Sequence, residues 1–190
     1  MSADAIQLVS LALQAQLKAA LVRAGNTGRV YVGALDDADA ASATLVLFLY
    51  RLAPNASLRN EEHRVPALLP NAPAVVYKTS LPLDLYYLLT VGPRSQASEP
   101  ESLRLLGYAL QSLHDLPNLV GTAVFGETVR LTIEPVTSEE MSRVWALFPT
   151  QNYRTSVVYV ASPVWVDPPA EPDSGSFVLQ ETLRVGQRRL

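Results

Sequence analysis

The chain has 190 residues, no cysteine and a formal charge of -3 from 15 basic and 18 acidic side chains. At roughly 150 residues per domain this is one domain, large enough to bury a core without a disulfide or a metal. The missing cysteines exclude thiol nucleophiles, redox pairs and zinc–thiolate centres, and an isoelectric point near 5.4 argues against a surface built to grip phosphate backbones. Only 17% of the residues are charged and 48% are apolar, a balance that suits a domain whose surface is partly covered by a partner.

Ile6, Val9, Leu13, Leu17 and Ala20 recur at three- and four-residue steps up to Arg23, and Gly25 to Gly28 supply a stop. This spacing predicts an amphipathic helix, with Leu8, Leu11 and Leu21 widening its apolar face beyond one stripe. The segment carries Asp4, Gln14, Gln16 and Lys18 and no basic leader, so it is not expected to act as a signal peptide. The longest apolar run, residues 43–50, is far short of the roughly 20 that cross a bilayer, so no membrane span is expected and assembly is expected in the cytoplasm.

Residues 29–33 read as a short strand and residues 43–52 as a central strand covered on both sides. Residues 53–79 hold no period, and Pro54, Pro66, Pro70 and Pro73 forbid a continuous helix or central strand there, so a long loop is expected. Leu81 to Val91 alternates cleanly, with Pro82 tolerable only at its start. A second helix is expected from Ser98, with a Ser98/Glu101 capping box, a Leu103, Leu106, Leu110, Leu113 stripe and Pro117 as its end. Residues 129–136 read as a strand, and Thr137 with Glu140 starts a third helix that turns Met141, Val144, Trp145 and Phe148 to one side. Residues 154–166 form a long strand, residues 167–176 look like a linker, and Phe177, Leu179, Leu183 and Val185 alternate in a last extended segment. The order implies an α+β domain, one mixed and mainly antiparallel sheet with packed helices, over residues 1–167, followed by a linker and extended segment over 168–190.

Chemical signatures are sparse. His63 stands beside Glu61, Glu62 and Arg64, and His114 beside Asp115. Either could be a base with a carboxylate orienter, but a solvated charged turn for His63 and a helix C-terminus for His114 explain them as well. Asp36, Asp37 and Asp39 cluster without the ligand spacing or the glycine of a calcium loop. Strings for phosphate, dinucleotide, serine-hydrolase and zinc-protease sites are lacking, Gly121 and Gly126 read as turn residues, and the basic residues form no one-signed stripe. No cofactor, metal or nucleic acid is expected. Tyr86 and Tyr87 point to opposite faces of one strand, and Trp165 at a strand end either closes the core or anchors a partner.

Several segments carry a resemblance. Residues 49–60 (LYRLAPNASLRN) join a buried strand ending in Tyr50 to Asn55 and the triplet Leu58, Arg59, Asn60, and residues 81–91 (LPLDLYYLLTV) follow. With the N-terminal helix, LLGYALQSLHDLPNL, VRLTIEPVTSEEMSRVWALF and SVVYVASPVWVD in the same order, the chain resembles the cap, or tail-terminator, proteins of contractile injection systems. The similarity is to the N-terminal domain type found in phage-tail-like particles such as the antifeeding prophage, and it covers most of the chain to about Asp167. Two departures stand out: Ser80, Leu81, Pro82 offers one proline where the family pattern has two adjacent, and the further C-terminal domain of some members has no counterpart in residues 168–190.

The resemblance implies a non-enzymatic structural protein. It would form a ring, hexameric like the tube and sheath beneath it, on the end of the inner tube and outermost sheath layer of an injection particle, stopping polymerisation and joining the two. Its partners would be further copies of itself, the inner tube protein and the sheath protein. The residues expected at subunit or partner contacts are Tyr50, Asn55, Arg59, Asn60, Trp165, Phe177, Leu179 and Leu183. Alternatives are a phage-type head-to-tail connector, and a small enzyme using His63 or His114.

Overall fold

The computed structural model describes residues 3–65, 75–93, 98–124, 126–169 and 173–174. Helix α1 (Ala5–Arg23) puts Val9, Leu13, Leu17 and Leu21 into the core. Its end is a Schellman motif: Gly25 at φ +74° donates to the Val22 carbonyl and Asn26 to the Leu21 carbonyl, a turn that glycine adopts without strain. By length and hydropathy α1 alone among the described residues could cross a membrane, yet its apolar stripe packs inside the fold. The expected wide apolar face is narrower than predicted, since Leu11 is exposed.

Strands β1 (Arg29–Val32), β2 (Ala43–Pro54), β3 (His63–Val65), β4 (Val75–Tyr77) and β5 (Leu81–Val91) precede helix α2 (Glu99–Asp115). Strands β6 (Asn118–Val120) and β7 (Thr128–Ile133), helix α3 (Ser138–Trp145) and strands β8 (Ser156–Val166) and β9 (Asp173–Ser174) follow. The main sheet runs β1-β2-β5-β8-β7-β6, and β3-β4-β9 form a second, smaller one. Only the β1–β2 pair of the main sheet is parallel, so the α+β, mixed and mainly antiparallel expectation holds for it.

The three central strands are buried on both faces, as their sequences require. Leu45 and Leu47 of β2, Leu85, Tyr87 and Leu89 of β5, and Tyr159 and Ala161 of β8 face α1 and α2. Val46, Leu88 and Val158 face the opposite way, against Leu35, Ala40 and the Met141, Val144, Trp145, Phe148 side of α3. Each fully buried leucine here contributes about 1.5–3 kcal/mol relative to exposure. Where β5 leaves the sheet, Gly92 donates to the Thr44 carbonyl and lies so close to β2 that a Cβ would collide with the Ala43 carbonyl oxygen.

Several boundaries differ from the sequence reading. The expected loop over 53–79 instead carries the end of β2 and all of β3 and β4, because three-residue strands leave no readable period. β9 falls inside the expected linker and pairs with β4. β6 was not anticipated, and β7 ends at Ile133 rather than Val136 because Pro135 has no N–H for the ladder. Helix α2 is rotated from its expected phase: Leu103 is exposed, and the inward face is Ser102, Leu105, Leu106, Ala109, Ser112 and Leu113. Ser98 makes no side-chain cap, and the Glu101 carboxylate that would return the second bond of a capping box is held by Arg104 at 2.7 and 2.8 Å. The Thr137–Glu140 capping box does form, with Glu140 N–H to Thr137 Oγ1 at 3.2 Å and Thr137 N–H to Glu140 Oε2 at 2.8 Å.

Candidate interface and buried polar seam

Tyr50 sits where the β2–β5 register slips between Leu49 and Arg51. This is a bulge that bends the strand and re-aims its side chains. Tyr50 is half-buried, meets Tyr86 edge-on with centroids 6.3 Å apart, and has its phenol pKa raised by burial. Arg51 covers the other ring, 4.6 Å from the Tyr86 centroid.

Asn55 follows the end of β2 and is held by contacts within the chain. Its Oδ1 accepts from the Ser57 and Leu58 N–H groups at 3.1 Å, an Asx turn. Its Nδ2 donates to Asp84 Oδ1 at 2.9 Å and Ser162 Oγ at 3.2 Å, and its own N–H reaches the Pro82 carbonyl. Ser162 in turn donates to Asp84 Oδ1 at 2.5 Å, beside the second register slip, between Leu83 and Leu85 of β5. The turn thus presents Arg59 and Asn60, both exposed, from a rigidly tied base. Leu52 and Leu81, at the same end of the β2–β5 pair, are about half exposed at 50% and 48%. Phe177, Leu179 and Leu183 lie outside the described residues.

His63 is not in a solvated turn. It is 4% exposed, because β3 lays it against the end of the main sheet, stacked on Trp165 at 4.6 Å and 10° and on Tyr77 at 6.0 Å and 22°. Trp165 accordingly is buried, closing the seam. The His63 Nδ1 lies 2.7 Å from Asp167 Oδ1 and Nε2 lies 3.2 Å from Glu127 Oε2. Ser80 Oγ donates to the same Asp167 oxygen at 2.6 Å. Burial pushes the Asp167 carboxyl up, but the hydrogen bonds it accepts, among them those from Ser80 and His63, outweigh that and hold it below its ordinary value. Neither Glu127 nor Asp167 could be found from the sequence, since they stand far from His63 and in no motif. His114 is exposed in the last turn of α2, and Asp36, Asp37 and Asp39 are exposed, Asp37 accepting the Tyr31 hydroxyl at 2.7 Å.

The sequence matches the family described as the Pvc16 N-terminal domain over residues 8–180. The chain belongs to that family. Comparison with curated protein sequences gives no match. Among solved structures, the chain is similar to the PVC sheath/tube terminator of an extracellular contractile injection system in its extended state, at 20% identity and a TM-score of 0.60. That alignment covers 97% of this chain and 64% of the other. It is also similar to the anti-feeding prophage cap, a tube-terminating cap, at 19% identity and a TM-score of 0.59, covering 93% of this chain and 60% of the cap. The chain therefore shares the fold of these two terminators while spanning less than two thirds of either one's length.

Proposed function

We propose that this chain acts as the ring-forming cap of a contractile injection particle. It assembles in the cytoplasm as a hexamer on the end of the inner tube and outermost sheath layer, stops their polymerisation and joins them. The observation that carries this reading is the family match across residues 8–180, supported by the shared fold with two tube terminators. A closed ring needs a heterologous interface, one patch on each copy meeting a different patch on the next. The turn bearing Arg59 and Asn60, with Leu52 and Leu81 at the same end of the β2–β5 pair, is the proposed patch: exposed polar tips on a fixed base beside half-exposed leucines.

The test mixes the full chain with polymerising inner tube protein and reads native mass and tube length. Six copies per ring and tubes of restricted length are expected. A persistent monomer that leaves tube length unchanged would overturn the reading.

A further inference from the structure

His63 comes from β3, Glu127 from the turn before β7 and Asp167 from the residue after β8, and one ligand-type atom from each lies within 4.8 Å of the other two. Their side chains are 5%, 8% and 3% exposed, so bulk water competes little for them. Both nitrogens of the His63 ring face a carboxylate, while a neutral imidazole has only one N–H to donate. The 2.7 Å contact on Nδ1 is a hydrogen bond to Asp167, whose acceptor oxygen is also fixed by Ser80. Nε2 faces the Glu127 carboxylate, with Oε2 at 3.2 Å. That is longer than the roughly 2.7–2.9 Å of a charge-assisted N–H to carboxylate bond. It is close to the separation of about 3.3 Å between two ligand atoms each about 2.0–2.1 Å from a tetrahedral ion. Stacking on Trp165 and Tyr77 keeps the ring in this plane.

We propose that His63 and Glu127 bind a divalent first-row transition ion of the zinc type, His63 through Nε2 and Glu127 through its carboxylate. Asp167 is the positioning residue: it accepts a hydrogen bond from Nδ1–H and so fixes the tautomer that leaves Nε2 to the metal, the carboxylate–histidine–metal arrangement. Water completes the coordination shell. Imidazole with carboxylate favours zinc and its late first-row neighbours over calcium, magnesium and manganese, which prefer all-oxygen shells. The ion joins the small sheet, through β3, to the turn before β7 of the main sheet. This inference rests on the seam alone and stands or falls independently of the cap function.

Full-length protein stripped with a chelator is titrated with zinc chloride by calorimetry and with cobalt chloride by visible absorption. One ion per chain, a cobalt spectrum of low coordination number and a higher melting temperature with zinc are expected. Asp167→Asn should weaken binding about 10–100-fold, Glu127→Gln at least as much, and His63→Gln should abolish it. Because His63→Gln can disturb folding, Glu127→Gln with unchanged near-ultraviolet circular dichroism is the deciding variant. Nitrogen-15 spectra of the His63 ring give a second readout, with a proton on Nδ1 and a zinc-sensitive Nε2 expected. Wild-type affinity in Glu127→Gln, no binding by the wild type, or a ring protonated on both nitrogens and indifferent to zinc would each overturn the proposal.

Discussion

Single side chains in the candidate interface divide by what they already hold. Asn55 has both ends of its amide engaged inside the chain, so Asn55→Ala leaves Asp84, Ser162 and two backbone N–H groups short of a partner. A loss of about 1–3 kcal/mol of subunit stability is expected, measured by urea unfolding. Arg59 and Asn60 are exposed and make no side-chain hydrogen bond among the described residues, so their alanine variants should change subunit stability by less than about 0.5 kcal/mol. If the turn meets a neighbouring copy, the same variants weaken ring formation by tenfold or more in native mass spectra; unchanged rings would remove Arg59 and Asn60 from the interface. Tyr87, hydrogen-bonded to Ser10 at 2.8 Å and fully buried, has its phenol pushed up to about 12 by burial against the smaller opposing effect of Ser10. The unfolded phenol ionises near 10, so the unfolded chain sheds its proton first as pH rises. The stability tied to Tyr87 is therefore whole below about pH 10 and lost as pH climbs toward about 12. Tyr87→Phe should flatten the stability profile across that window, and absorbance at high pH should show one late-ionising tyrosine fewer.

At the scale of elements, two helix starts with similar sequence signatures behave differently. Thr137 and Glu140 close a capping box on α3, while Ser98 makes no side-chain cap and the Glu101 carboxylate binds Arg104 one turn on. Thr137→Ala is expected to cost about 0.5–2 kcal/mol, by the usual value of a lost cap. Ser98→Ala should cost less than about 0.5 kcal/mol, as a surface change without a broken contact. Equal costs in the same denaturation series would contradict this assignment. The capping-box spacing is the same at both helices, and only the tertiary structure shows which box forms. Much the same holds for α2, where adjacent Leu105 and Leu106 allow two phases of the apolar stripe. Packing against α1 chose the one that brings Ser112 near enough for Gln16 Nε2 to donate to its carbonyl at 2.9 Å.

The whole molecule is a sheet with two unequal covers. The α1 and α2 side buries long helices of 19 and 17 residues, whereas α3 has only 8 residues and holds on through Met141, Val144, Trp145 and Phe148. A short helix draws almost all of its stability from such packing, so the α3 layer should open before the rest. Native-state hydrogen exchange is expected to show α3 amides exchanging at lower free energy than those of β5 and β8. Phe148→Ala, at a cost of about 3–5 kcal/mol, should widen that gap. Uniform protection across both covers would show instead that the two layers unfold as one unit.

By itself the sequence determined the elements with a strong period or a local stop signal: α1 and its glycine end, the doubly buried β2, the alternating β5, the capped α3 and the long β8. It also carried the family resemblance, because the order of those segments survives in the string. Tertiary structure alone decided the parallel β1–β2 pair, the second sheet and the phase of α2, since two- and three-residue strands and ambiguous stripes take their identity from what they pack on. It alone also placed His63. Beside Glu61, Glu62 and Arg64 the residue reads as solvated, yet the β3–β4 pairing turns it inward to Asp167 and Glu127. Those groups converge by chain folding and by no spacing along the chain.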